Sequence, residues 1–206
     1  MSLNPHSRSR FYHRFLSACV MAGAGLLSGC ASVYVDTATK AVPVAEMKKV
    51  AQPKPVRLVF EFQSKGAPNA RATDFLKETV TEQVKTSGLF SAIDSTSPDD
   101  AILNVTLNNV PLTEDAASKG FVTGLTFGLA GSAVTDGYIC TVTYLPPGKT
   151  QPVTKTARHA IHTVLGNASA PAGAVKSEGL DVAVRTMARE VLSNALRDLS
   201  YDPAFN

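Results

Sequence analysis

The sequence predicts an α+β fold, a two-layer sandwich in which a largely antiparallel sheet of about four strands carries two helices on one face. Three observations predict it. Apolar residues alternate strictly with polar ones in several short segments, and they recur at three- and four-residue spacing in two longer ones. The order along the chain is strand, helix, strands, helix. Residues 56–206 are also enough for one domain to bury its own core without disulfide staples.

Val56, Leu58, Phe60 and Phe62 alternate with Arg57, Val59, Glu61 and Gln63, the period of a strand with one buried face. A Gly66-Ala-Pro68 loop follows. Phe75, Leu76, Thr79, Val80, Gln83, Val84 and Ser87 then mark a helix of about four turns, with Thr73 as the N-cap, Asp74 on the positive end of the helix dipole and Gly88 at the left-handed position after it. Phe90 to Ile93 reads as a short strand, closed by a polar turn over 94–100. In 101–110, Leu103, Val105 and Leu107 oppose Asn104, Thr106 and Asn108, so that strand has one wet face. Residues 138–145 and 153–164 form two more strands. Pro146-Pro147-Gly148-Lys149 between them cannot continue a ladder, which makes a hairpin. Residues 166–173 are a loop. In the last helix Leu180, Val184, Met187, Val191, Ala195 and Leu199 form an apolar stripe. Glu178, Asp181, Arg185 and Arg189 face water, with Asp181 and Arg185 spaced to pair, and Pro203 ends the helix.

Ahead of this domain, residues 1–29 have the three parts of a secretory leader: Arg8, Arg10 and Arg14, then an apolar run over 15–29, then a thiol at Cys30. Fifteen helical residues rise only about 22 Å, short of a bilayer's hydrocarbon core, so the run is a cleaved signal rather than a span. Leu27-Ser28-Gly29-Cys30 resembles the lipobox of bacterial lipoproteins, which implies cleavage between Gly29 and Cys30 and fatty acylation, palmitate included, of Cys30. One acyl chain binds a membrane only marginally, and the several chains the resemblance implies anchor it permanently. Ala31 after the cysteine, by the same resemblance, favours the outer membrane. Residues 30–55, with Pro43, Pro53 and Pro55, read as the lipidated cysteine and a tether. As a flexible coil it reaches about 25 to 30 Å, or it docks as an extra strand starting from Val33-Tyr34-Val35.

Charge narrows the function. The three leader arginines are the only charged side chains before Cys30, so the 20 basic and 17 acidic residues of the full chain balance once the leader is gone. A neutral body lacks the basic stripe that nucleic acid requires. At 44% apolar and 18% charged the chain is too hydrophobic to be disordered. Of the cysteines, Cys19 leaves with the leader, Cys30 takes lipid, and Cys140 lies among Tyr138, Val142 and Tyr144 on one strand face, which predicts a core thiol.

Residues 120–135 contain no charge. Gly120, Gly124 and Gly128 are four apart, with Phe121, Leu125, Phe127 and Leu129 beside them. Such spacing lets backbones approach closely in lipid, while in water each glycine costs a helix about 1 kcal/mol. The segment is therefore a candidate contact with membrane or partner, set against a connection packed on the domain. No nucleophile elbow, phosphate loop, Cys-x-x-Cys or His-Glu-x-x-His occurs, which leaves no catalytic residue, metal or cofactor to assign. His159 and His162, three apart, point to opposite faces of a strand and make a poor metal pair. Asp99 and Asp100 read as a solvated turn.

The lipobox, the tract Gly124-Leu-Thr-Phe-Gly-Leu129 and the strand opening Asp136-Gly-Tyr138 together resemble a group of small Gram-negative envelope lipoproteins. The element order is similar to that of the lipoprotein plugging the outer-membrane lipopolysaccharide translocon, and to auxiliary lipoproteins of lipid-transport ABC systems. The resemblance implies architecture and location only. The expected function is a lipid-anchored, non-catalytic envelope component facing the periplasm. Its partners would be the membrane and another envelope protein, met through the open sheet face or the glycine segment. The alternative is a membrane-inserting oligomeric subunit built on 120–135.

Overall fold

The computed structural model describes residues 31–94, 96, 97, 99–112, 133–166 and 169–205. Cys30, Gly29 and the glycine-segment residues Gly120, Phe121, Gly124, Leu125, Phe127, Gly128 and Leu129 lie outside them. The described chain contains β1 (Ala31–Val35), a 3₁₀ turn (Val44–Glu46), β2 (Val56–Ser64), β3 (Ala67–Pro68), α1 (Ala70–Thr86), β4 (Ala101–Pro111), β5 (Ala133–Leu145), β6 (Val153–Leu165), β7 (Val175–Lys176) and α2 (Leu180–Ser200).

The α+β class holds, and the expected four strands become a seven-stranded sheet in the order β3-β2-β4-β5-β6-β1-β7. The three additions, β1, β3 and β7, are five residues or fewer, too short to show a period. The sheet is mixed. β2 and β4 pair in parallel from Val56 opposite Ala101 to Ser64 opposite Asn109, because α1 fills the crossover that a parallel pair needs. β4, β5 and β6 are antiparallel, and β5–β6 is the expected hairpin, closing at Tyr144 opposite Val153.

One apolar core lies between the sheet and the helices. Val56, Phe62, Leu103, Val105, Leu107, Cys140 and Val142 from the strands meet Leu76, Val80 and Val84 of α1 and Met187, Val191, Leu192, Ala195, Leu196 and Leu199 of α2. The predicted stripes point inward apart from their first residues. Phe75 and Leu180 stay exposed. The N-cap of α1 is Asn69, not Thr73: Asn69 Oδ1 accepts from Ala72 N at 3.1 Å. Thr73 sits one turn in, donating its hydroxyl to Asn69 O and accepting from Phe62 N, so it ties the helix to β2. Gly88 has φ +70° as expected. Phe90 to Ile93 is not a strand, yet Val56 N and Leu58 N donate to Ala92 O and Ile93 O, and Arg57 bridges to Asp94. Arg185 does not pair with Asp181. Its guanidinium lies 4.1 Å from the Phe75 ring centre and donates to Thr79 Oγ1 at 2.9 Å, linking α2 to α1.

The stretch expected as a free tether is docked, the other option left open by Val33-Tyr34-Val35. β1 lies between β6 and β7, with Tyr34 opposite Lys176 and Val35 opposite Val175. Beyond it the chain runs along α2: Val42 N donates to Ser193 Oγ, Asn194 Nδ2 to Lys40 O, and Lys48 N to Ser200 Oγ.

Candidate functional site

Two ends of the sheet carry the candidate chemistry, and the register separates them. Asp36 N donates to Ala160 O and Thr39 Oγ1 to Arg158 O, so the chain leaving β1 moves toward the start of β6. Ser32 therefore lies where β6 finishes. β4 ends and β5 begins at that same end, with Pro111 opposite Asp136 and Ala133 opposite Val164, and Leu112 N donates to Thr135 O. The two strand ends that bracket the uncharged segment thus sit beside the start of the domain.

The two histidines lie within this architecture, on opposite faces as their spacing predicts, and both are fully buried. His159 faces the helices. Its Nδ1 lies 2.8 Å from Ala160 N and 3.1 Å from Ala160 O, and its Nε2 lies 2.7 Å from Glu190 Oε2 on α2. His162 faces the other way, with Thr135 Oγ1 2.9 Å from Nδ1 and Asp36 Oδ2 3.4 Å from Nε2. Asp36 Oδ1 also accepts from Ala38 N at 2.7 Å. The sequence held no sign of these carboxylate partners, since Asp36 and Glu190 are 126 and 31 residues from the imidazoles they face.

Hydroxyl, imidazole and carboxylate stand in line at Thr135, His162 and Asp36, the order of a nucleophilic triad. The chemistry does not follow. His162 and Asp36 are 0% and 1% exposed, so no substrate reaches the imidazole. The set is a polar tie that binds β1 to β6 and β5. Among the described residues, no buried side-chain nitrogen or oxygen lacks a partner, and no group of three or more His, Cys, Asp and Glu side chains is arranged to hold a metal. Cys140 is buried as expected, and burial pushes its thiol up to about 12. Desolvation likewise raises the Tyr138 and Tyr144 hydroxyls.

The face away from the helices carries Asn104, Thr106, Thr141, Thr143, Thr154, Thr156 and Arg158, each at least partly exposed. It is the wet face the alternation predicts.

A groove of about 610 Å³ opens at the far end of the sheet, where β5 turns into β6. Its floor is aromatic. The Tyr144 and Phe205 rings meet edge to face at 4.8 Å, and Phe90 lies 6.0 Å from Tyr144 and 5.8 Å from Phe205. Lys48, Lys49 and Lys54 from the docked segment and Lys149 from the hairpin turn line its walls, with no acidic side chain among the described lining residues. No sequence pattern pointed here, because the four segments that form it are scattered from 48 to 205. A second hollow of about 490 Å³ between α1 and α2 holds Glu78, Glu82, Arg185 and Arg189, charges of both signs that offset one another.

No family model matches the chain, and no curated protein matches it. Among solved structures it is similar to the PelC dodecamer from Paraburkholderia phytofirmans at 12% identity and TM-score 0.31, over 82% of this chain and 98% of that one. It is similar to rare lipoprotein B from Shewanella oneidensis at 16% identity and TM-score 0.28, over 56% and 72%. Protein XCC0632 from Xanthomonas campestris matches at 16% identity and TM-score 0.34, over 74% and 83%. No site residue is transferred from any of them. Among the described residues, no helix is long and apolar enough to cross a membrane.

Proposed function

We propose that the chain is a lipid-anchored, non-catalytic lipoprotein of the cell envelope, an accessory or adaptor in an outer-membrane assembly or transport system with its domain facing the periplasm. The docking of β1 carries the reading beyond the lipobox. Ser32 is already in the sheet, and two peptide units separate it from Cys30, a leash of about 7 Å. Acyl chains on Cys30 would therefore hold one end of the sheet close to the bilayer surface instead of letting the domain swing free. Leu112 and Ala133, the described residues on either side of 113–132, sit at that same end. That bracketing also favours the second reading, a membrane-inserting oligomeric subunit. The threonine-rich open face is left for an envelope protein.

The test is intact-mass analysis of the mature protein after metabolic labelling with an alkyne fatty acid, with density separation of the membranes. The reading expects a chain starting at an acylated Cys30 in the outer-membrane fraction, and release of a Cys30→Ala form. An unmodified polypeptide, or one starting elsewhere, overturns it. Detergent-stable oligomers that disappear when 121–134 are deleted would select the second reading.

A further inference from the structure

We infer that the lysine-walled groove is a binding site for a single-chain anionic amphiphile, a molecule with a phosphate or carboxylate head and an apolar body. Its volume falls in the range of small-molecule sites, about 300 to 1,000 Å³. The floor of Phe90, Tyr144 and Phe205 offers edge-to-face aromatic surface to an apolar body. Four of the chain's 11 lysines stand around that floor. None of the four ammonium groups is in a salt bridge with a described residue; the nearby Lys155 is paired with Asp202 at 2.6 Å. In a body whose charges sum to zero once the leader is gone, this local excess is complementary to an anionic head, and lysine's compact charge suits phosphate or carboxylate without demanding a fixed fork geometry.

The walls are held from behind. Lys48 N donates to Ser200 Oγ, Met47 is buried, Ser91 N donates to Lys54 O, and Lys149 N donates to Pro146 O in the turn at Gly148. The lysine side chains themselves are exposed, so they meet a ligand without first breaking internal contacts.

Position selects the source. The 13 residues of β6 separate the groove from the end that holds Ser32, about 40 Å at strand rise. A bilayer anchoring Cys30 would lie at the other end, so the occupant is a monomeric amphiphile away from that bilayer, not one of its resident lipids. The chemistry of the groove stands whether or not Cys30 is acylated.

The experiment photolabels the full chain in membranes with dodecyl phosphate bearing a tail diazirine, supplied below its micelle concentration, and maps labelled peptides by mass spectrometry. Label is expected on the peptides holding Phe90, Tyr144 to Lys149 and Phe205. Unmodified dodecyl phosphate should compete, while dodecyl maltoside and inorganic phosphate should not. Replacing Lys48, Lys49, Lys54 and Lys149 together with Gln should cut labelling about 10-fold or more, and Phe205→Ala should cut it at unchanged charge. The Cys30→Ala chain, labelled in whichever fraction holds it and compared per mole of protein, should label as the parent does. The proposal is overturned by label spread over the whole surface, by undiminished labelling of the four-lysine variant, by equal competition from the maltoside, by loss of label in Cys30→Ala, or by blockage with an acidic peptide where dodecyl phosphate fails.

Discussion

Asp36→Ala tests whether β1 belongs to the domain or merely lies on it. The Asp36 carboxylate is 1% exposed, accepts from Ala38 N at 2.7 Å and faces His162 Nε2 at 3.4 Å. The substitution removes two charge-assisted contacts at about 1.5 to 3 kcal/mol each, and it deprives the fully buried imidazole of its acceptor. The sum is about 3 to 5 kcal/mol, since the two terms overlap. For a domain of this size that is a fall in Tm of roughly 6 to 20 °C, at 2 to 4 °C per kcal/mol. Asp36→Asn retains a carbonyl acceptor for Ala38 and should lose less than half as much. The assay is thermal unfolding followed by far-UV circular dichroism, joined to amide hydrogen exchange. The loss should concentrate in the exchange protection of β1 and β7, because among the described strands β7 pairs only with β1. A Tm within 2 °C of the parent, or protection of Tyr34 and Val35 unchanged, would refute the reasoning. A double-mutant cycle with His162→Ala then measures the coupling directly; a coupling near zero would mean the 3.4 Å approach contributes nothing.

Other consequences follow from burial and backbone geometry. The Cys140 thiol is neutral in the fold and titrates at about 12 against 9.0 when free. The folded state thus binds the extra proton between those values, and stability should fall by about 1.4 kcal/mol per pH unit above pH 9. Cys140→Ala should remove that slope in urea titrations, leaving the later fall that the raised tyrosines add above pH 10. Iodoacetamide at pH 8.5 should alkylate Cys140 at least about 100-fold more slowly in the folded chain than in urea. Leu196→Ala, at a fully buried position of α2, should cost about 2 to 5 kcal/mol in chemical unfolding, whereas Leu180→Ala, 56% exposed, should stay within about 0.5 kcal/mol. Gly88→Ala meets no atom within 4 Å but must keep φ +70°, so its cost should be the backbone strain alone, about 1 to 2 kcal/mol, with Gly88→Asn losing less.

Long elements were legible and short ones were not, for a physical reason. β2, β4, β5, β6 and both helices each bury one face over eight residues or more, so their periods repeat often enough to read. β3 and β7 have two residues each, no repeat, and exist because a neighbouring edge offers unpaired backbone groups. A threonine just before an apolar run satisfies the same local cap pattern as Asn69; the bond from Ala72 N to Asn69 Oδ1 and the bond from Phe62 N to Thr73 Oγ1 distinguish them. Parallel pairing of β2 with β4 was implicit in the strand-helix-strand order and was missed because alternation alone is blind to strand direction. For the candidate sites, the opposite-face placement of the histidines followed from their spacing. Their carboxylates and the groove did not, since both assemble from segments distant in sequence.

The docking of β1 and the location of the groove bear on each other mechanically. If residues 30–55 were a free coil, the domain could present either end to the bilayer, and a lysine cluster would be drawn to anionic headgroups at about 1 kcal/mol per lysine near the surface. The fold resists that. Holding Ser32 in the sheet keeps the groove about 40 Å away along β6, several times the Debye length of about 8 Å at physiological ionic strength, so a membrane anchored through Cys30, as proposed, would exert almost no pull on it. Undocking β1 through Asp36 would lengthen the leash by the residues released, roughly 3.3 Å for each. The Asp36→Ala chain should therefore crosslink more readily from Lys149 to anionic lipid than the parent does, even at temperatures where both remain folded. If the two chains crosslink equally, β1 does not set the orientation, and the four lysines are free to meet the bilayer.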